Sequence, residues 1–108
     1  MRCKALLLLL PLLTSCASPA YVDSVLEPPG RYNYPYEGPV VEYVMTLVNV
    51  RQLCASRGAF GLIAACSFVD DGTCYMVLPS DGQTSVATYR RHETAHCNGW
   101  PADHPRDE

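Results

Sequence analysis

His92, Glu93 and His96 stand in the order HExxH inside RRHETAHCNGWPADHP, residues 90–105. On a helix, positions i, i+1 and i+4 share one face, so two imidazoles one turn apart converge with a carboxylate beside them. Two neutral imidazoles so placed can hold Zn2+ at about 2.0–2.1 Å each, leaving room for a third protein ligand and a water. Glu93 would face that water. With three His and five Glu in 108 residues, roughly 0.004 accidental HExxH matches are expected, so coincidence is a poor account. Gly99 suits the left-handed conformation that ends a helix, and Pro101 cannot continue one. The chain is therefore expected to turn after Asn98 and bring Asp103 and His104 back toward the two histidines. Read without a metal, the same stretch is an amphipathic helix with surface histidines.

The motif resembles the zincin metallopeptidases, and HExxHxxG is similar to the metzincin consensus, in which a His or Asp follows three residues after the glycine. The resemblance covers about a sixth of the chain. In that pattern the third ligand falls on Ala102, which has no ligand atom. Either the turn is longer by a residue or two, with Trp100 packed into it, or the site has only two protein ligands. His104 is the first choice for a third ligand and Asp103 the second: imidazole suits zinc, and an adjacent Asp can accept a hydrogen bond from a ligand histidine. The resemblance implies a metal-activated water, a metal-polarised carbonyl, and Glu93 as the base that takes the water's proton and returns it to the leaving amine. Tyr89 precedes the motif on the same helix but is not assigned as a helper. Trp100 is read as a hydrophobic plug, Asn98 as a helix-end residue, and Arg90 and Arg91 as the solvated side of the helix.

Residues 40–108 must position these groups, and 69 residues lie near the lower limit for a self-sufficient core. Staples are expected from Cys54, Cys66, Cys74 and Cys97. Cys66 and Cys74 flank an expected hairpin and can pair, leaving Cys54 with Cys97; the other two connectivities stay open. Cys97 beside His96 projects about 100° away on a helix, which disfavours a shared metal. Residues 40–45 read as a strand. Leu47, Val50, Leu53 and Cys54 are spaced for a short helix, capped by Thr46 and stopped by Gly58. Residues 60–69 and 73–78 read as a hairpin around Asp70-Asp71-Gly72. The active helix starts near Thr84 or Ser85 and runs to Asn98. The expected class is α+β: a minimal zincin-like domain ordered strand, helix, hairpin, active helix. By the zincin resemblance, residues 73–78 would offer an edge to an extended substrate.

Residues 1–15 resemble a secretory signal, with Arg2 and Lys4 before an apolar run too short to span a bilayer. The run ends in Leu13-Thr14-Ser15-Cys16, similar to the bacterial lipobox, which implies cleavage before Cys16 and its acylation as a membrane anchor. Ala17, rather than Asp, after that cysteine implies the periplasmic face of the outer membrane. Residues 16–39, rich in Pro and Tyr, read as an extended or irregular tether, with the alternating Tyr32, Tyr34 and Tyr36 able to strap across the domain. Without Arg2 and Lys4, the 8 basic and 11 acidic residues become 6 against 11, about −5 in net charge. Such a balance, with no basic patch, argues against nucleic acid as a partner. Two functions follow: an anchored zinc metallopeptidase acting on peptides or proteins of the cell envelope, or a non-catalytic zinc-binding lipoprotein serving as a structural or interaction module.

Overall fold

A computed structural model describes residues 19–59 and 63–106. The signal expected over residues 1–15, acylation at Cys16, and residues 60–62 at the start of the first hairpin strand lie outside the described residues. The elements are α1 (Pro19–Leu26), a 3-10 turn (Gly30–Tyr32), β1 (Val40–Met45), α2 (Leu47–Ser56), β2 (Cys66–Asp70), β3 (Thr73–Pro79) and α3 (Val86–Cys97). The class is α+β with a mixed three-stranded sheet in the order β1-β3-β2.

β3 lies at the centre, parallel to β1 and antiparallel to β2. Its run from Met76 to Pro79 is buried throughout, as befits a strand covered on both faces and both edges. The expectation that residues 73–78 offer an edge is therefore corrected: β1 and β2 occupy both of its sides, and β2 is the edge strand beside α3. Alternation along β3 divides the core. Cys74, Met76 and Leu78 pack with Tyr89 of α3, whereas Val77 packs with Val50 and Cys54 of α2. Asp71 (φ 49°) and Gly72 (φ 77°) form the two-residue connection between the paired Asp70 and Thr73. Two successive positive φ values match the primed turns that suit hairpin twist, and Asp-Gly is a favoured sequence for them.

α2 and α3 are each stapled to the sheet. Cys54 of α2 is bonded to Cys66 of β2, and Cys74 of β3 to Cys97 of α3. The expected pairing of Cys66 with Cys74, and of Cys54 with Cys97, is thereby corrected. Register is the reason: Cys66 lies opposite Val77, and Cys74 opposite Val69. An offset of three positions puts the two cysteines about 10 Å apart and on opposite sheet faces. With sequence separations of 12 and 23 residues, each bridge contributes about 3 kcal/mol by restricting the unfolded chain.

The helix ends follow local chemistry. Ser85 caps α3, its side chain accepting from Thr88 N–H. At the other end Gly99 takes φ 105°, with Gly99 N–H bonded to His96 O and Trp100 N–H to Ala95 O, both at 3.0 Å. This Schellman ending reverses the chain immediately after the motif. Thr46 stands at the N-cap of α2 without a side-chain cap bond. Asp81 supplies the acceptor there, 2.6 Å from Leu47 N–H.

Residues 19–26, expected to be extended or irregular, are helical. Pro19 sits at the first helical position, where a missing N–H is harmless, and Pro28-Pro29 stop the helix. Both of these prolines are buried. An eight-residue helix is too short to persist alone in water, and Val22 is the one buried side chain among those described in α1. Polar ties supplement that contact, including Thr84 Oγ1–H to Asp23 Oδ1. The tyrosine run behind it does cross the body: Asn98 Nδ2 donates to Tyr32 O (3.1 Å) and Tyr34 O (2.7 Å), and Tyr36 O–H donates to Gly72 O (2.8 Å).

Candidate metal centre

The inner face of α3 carries two titratable groups where apolar ones would be expected. His92 and Glu93 are buried at 6% and 5% exposure, beside buried Tyr89 and Ala95. His96 lies one turn on, half-buried. After the Schellman turn, a further turn closed by His104 N–H to Pro101 O at 2.9 Å carries the tail back over the helix. His104 itself takes φ 56°, a left-handed conformation uncommon outside glycine and of a kind that clusters at functional sites.

The three imidazoles meet at their Nε2 atoms. His92 to His104 is 3.0 Å, His96 to His104 is 3.0 Å, and His92 to His96 is 3.2 Å. His92 Nδ1 lies 2.8 Å from Leu26 O, and His96 Nδ1 lies 2.7 Å from Trp100 O. A carbonyl can only accept, so each Nδ1 carries the proton and, in a neutral ring, each Nε2 presents a lone pair. The 3.2 Å contact between those two Nε2 atoms is then acceptor against acceptor, and a shared cation resolves it. Protonation is disfavoured. Burial holds His92 down to about 4, opposed by its bond to Leu26 O and aided by the neighbouring His96, His104 and Arg106. Burial also lowers His96, opposed by Trp100 O, and lowers His104, helped by His96 and Arg106 and opposed by Asp103.

These three histidines can hold a metal ion, and they are the one such group among the described residues. Tetrahedral zinc with bonds of 2.0–2.1 Å needs donor nitrogens roughly 3.3–3.4 Å apart, within a few tenths of an ångström of the distances found. Asp103, the second choice as third ligand, is exposed and lies outside the group. Ala102, where the metzincin pattern would place a ligand, lines the adjoining cleft.

Glu93 sits beside the cluster. Ser67 of β2 donates to its Oε1 at 2.7 Å, and its Oε2 lies 4.0 Å from His92 Nε2. Burial raises its carboxyl to about 7, with the Ser67 bond pulling the other way. Trp100 is buried and stacks on His96 at a centroid distance of 4.8 Å and 14°, while its Nε1–H donates to Pro105 O. The plug expected under the turn is thus packed among the imidazoles. The Tyr89 hydroxyl oxygen accepts from Gln83 N–H, which gives it a structural role. On the outer face, Arg90 makes a two-pronged contact with Glu42, at 2.6 and 3.0 Å.

A cleft of about 800 Å³ opens over the site, lined by His92, Glu93, His96 and His104 together with aliphatic residues such as Leu26, Ile63 and Ala64. Three contributors carried no motif: Ser67, the Leu26 carbonyl and Arg106. Alternation along β2 puts Ser67 on the α3 face, but only the register shows that it meets Glu93. A backbone carbonyl has no sequence signature. No protein-family model, curated protein or solved structure matches this chain.

Proposed function

We propose that the chain is a small zinc metallopeptidase with a zincin-like centre, anchored through Cys16 to the periplasmic face of the outer membrane and cleaving peptide bonds in envelope proteins or peptides. One observation carries this reading: a buried carboxylate with an elevated pKa, held by a serine, beside three histidines whose Nε2 atoms converge. Zinc suits the all-nitrogen donor set, and when bound at His92, His96 and His104 it would supply Lewis acidity toward a water and a substrate carbonyl. Ser67 engages Oε1, so Oε2 is the oxygen of Glu93 that faces the cluster. From there it takes a proton from water in the cleft and later delivers it to the leaving amine. A pKa near neutrality suits both transfers; a bound cation would lower it by favouring the carboxylate. The aliphatic wall of the cleft suits an apolar side chain of the substrate, and the outer edge of β2 lies where an extended backbone can pair.

The test is Glu93→Gln against a mixed peptide library, with zinc content measured in parallel. Retained zinc with hydrolysis reduced at least about a hundredfold is expected. Equal silence from wild type and variant, both loaded with metal, would end the peptidase reading. The second reading, a non-catalytic zinc-binding lipoprotein serving as a structural or interaction module, is favoured by one feature. The cluster gathers α1, α3 and the C-terminal tail through His92, His96 and His104, as a structural ion would. A buried carboxylate beside the ligands has no purpose in that role, since closed structural sites need no base.

A further inference from the structure

Arg106 follows the third histidine by two residues and reaches back across the molecule. Its Nη1 donates to Glu27 O at 2.8 Å, and its Nη2 donates to Glu27 O at 2.8 Å and Ser24 O at 3.0 Å. These are carbonyls at the end of α1, where helical acceptors lack intrahelical partners and a cation is favoured. Between them in the chain is Leu26, whose carbonyl takes the proton of His92 Nδ1. One guanidinium fork therefore grips the turn that orients one ligand, while its own short tail carries another. Among the described side chains of α1 Val22 is buried and Leu26 packs partly against the core, and Asp23 accepts from Thr84; the Arg106 fork adds a tie at the end of the helix nearest the site. Ser24, Val25 and Leu26 also form part of the cleft wall.

We propose that Arg106 is a positioning residue for the metal centre, and that through Leu26 it couples docking of the N-terminal helix to metal binding. The segment before β1 is then a working wall of the site. Coupling of this kind is reciprocal: what the docked helix adds to metal affinity, the metal returns as order in the helix. Loss of the metal loosens α1 and opens that side of the cleft. The inference rests on the three histidines binding a metal and is independent of whether the protein hydrolyses peptides.

The experiment uses the full chain purified in detergent with its disulfides formed, and Zn2+ alone as the probe. Affinity is read by competition with a chromophoric chelator for wild type, Arg106→Gln, Arg106→Lys and the remote control Arg90→Gln. Arg106→Gln is expected to weaken zinc about tenfold, as loss of groups that orient ligands does. Arg106→Lys, which keeps the charge without the fork, should fall between, and Arg90→Gln should match wild type. Co2+ in place of Zn2+ should give an altered d–d spectrum in Arg106→Gln, which loss of global stability alone does not produce. Hydrogen exchange supplies the reciprocal arm: zinc should slow exchange of the amides of residues 22–27 in wild type and much less in Arg106→Gln. Wild-type zinc affinity in Arg106→Gln, or α1 exchange indifferent to zinc, overturns the coupling and leaves the site standing. A wild-type chain that takes up neither Zn2+ nor Co2+ removes the site, and this inference with it.

Discussion

The two faces of the sheet are built by the same device and used differently. Each carries one helix, and each helix is bound to a strand by one disulfide, Cys54–Cys66 for α2 and Cys74–Cys97 for α3. α2 buries Val50 and Cys54 against Val77, a wholly apolar contact. α3 buries His92 and Glu93 along with Tyr89 and Ala95. Burying ionisable groups without a partner of opposite charge is unfavourable, so the α3 face is less stable than an apolar one would be. The comparison separates a support layer from a working layer, and removing the staples one at a time is the strongest way to break it. Cys54→Ser with Cys66→Ser is expected to lose about 3 kcal/mol and leave zinc affinity unchanged. Cys74→Ser with Cys97→Ser is expected to lose a similar amount and also weaken zinc about tenfold, because Cys97 adjoins His96 and fixes the end of α3. Denaturant titration in chelator and zinc competition on the same samples read the two quantities. Equal effects of both pairs on zinc would erase the division.

The working face should also show itself in pH. In metal-free protein the Glu93 carboxyl is raised from 4.5 to about 7, so the folded state holds that proton more tightly than the unfolded state. Ionisation then lowers stability progressively between pH 4.5 and 7 and by a constant amount above. His92 is lowered from 6.5 to about 4, so the stability it contributes is complete above pH 6.5 and is lost as pH falls toward 4. Between about pH 4.5 and 6.5 the two slopes oppose one another, each with a limit near 1.4 kcal/mol per pH unit. His96 and His104 are lowered as well and add to the histidine slope, so wild type should gain stability as pH rises through that window, less steeply than it would without the Glu93 carboxyl. Glu93→Gln keeps a hydrogen-bonding side chain and removes the carboxyl, leaving the histidine slope exposed. It is expected to be more stable than wild type by about 1–3 kcal/mol at pH 8 and to lose that margin toward pH 4.5. Parallel pH profiles for the two proteins, measured by denaturation in chelator, would contradict this account of the buried carboxylate. Val50→Ala on the opposite face should lower stability by about 2 kcal/mol at every pH.

What could be read from the chain follows the same division between local and long-range causes. The Asp70-Asp71-Gly72 turn, the Ser85 cap, the Gly99 stop and the HExxH face are settled by residues within a few positions of one another, and all are legible. That His104 joins His92 and His96 in one cluster was within reach because Gly99 and Pro101 announce a reversal, although the consensus spacing pointed to Ala102. The disulfide pairing was not, because it depends on strand register: a hairpin with Cys66 at one end and Cys74 near the other puts them on opposite faces. β3 as the central strand depends on β1 returning beside it after two intervening elements. α1 was obscured by its prolines, which read as breakers but stand at its first position and just beyond its end. Leu26 supplies the site through a backbone atom, and Ser67 and Arg106 act across 26 and 79 or more residues.

The outer face of α3 gives the smallest expected effect and the sharpest control. Arg90 meets Glu42 of β1 with both prongs of its guanidinium, a geometry stronger than a single contact. Its side chain is nonetheless 44% exposed, against 28% for Glu42, and water competes for both. The hydrogen bond to Glu42, with the attraction between the charges, raises the Arg90 pKa, and partial burial opposes this. A double-mutant cycle of Arg90→Gln and Glu42→Gln is expected to give a coupling of about 0.5–1 kcal/mol, smaller in high salt. Zinc affinity and hydrolysis should not move, because the pair lies on the side of α3 away from the histidines. A coupling well above that range, or a change in zinc binding, would mean that α3 transmits force from its solvated side to its buried one. The division would then run through the helix rather than between the faces of the sheet.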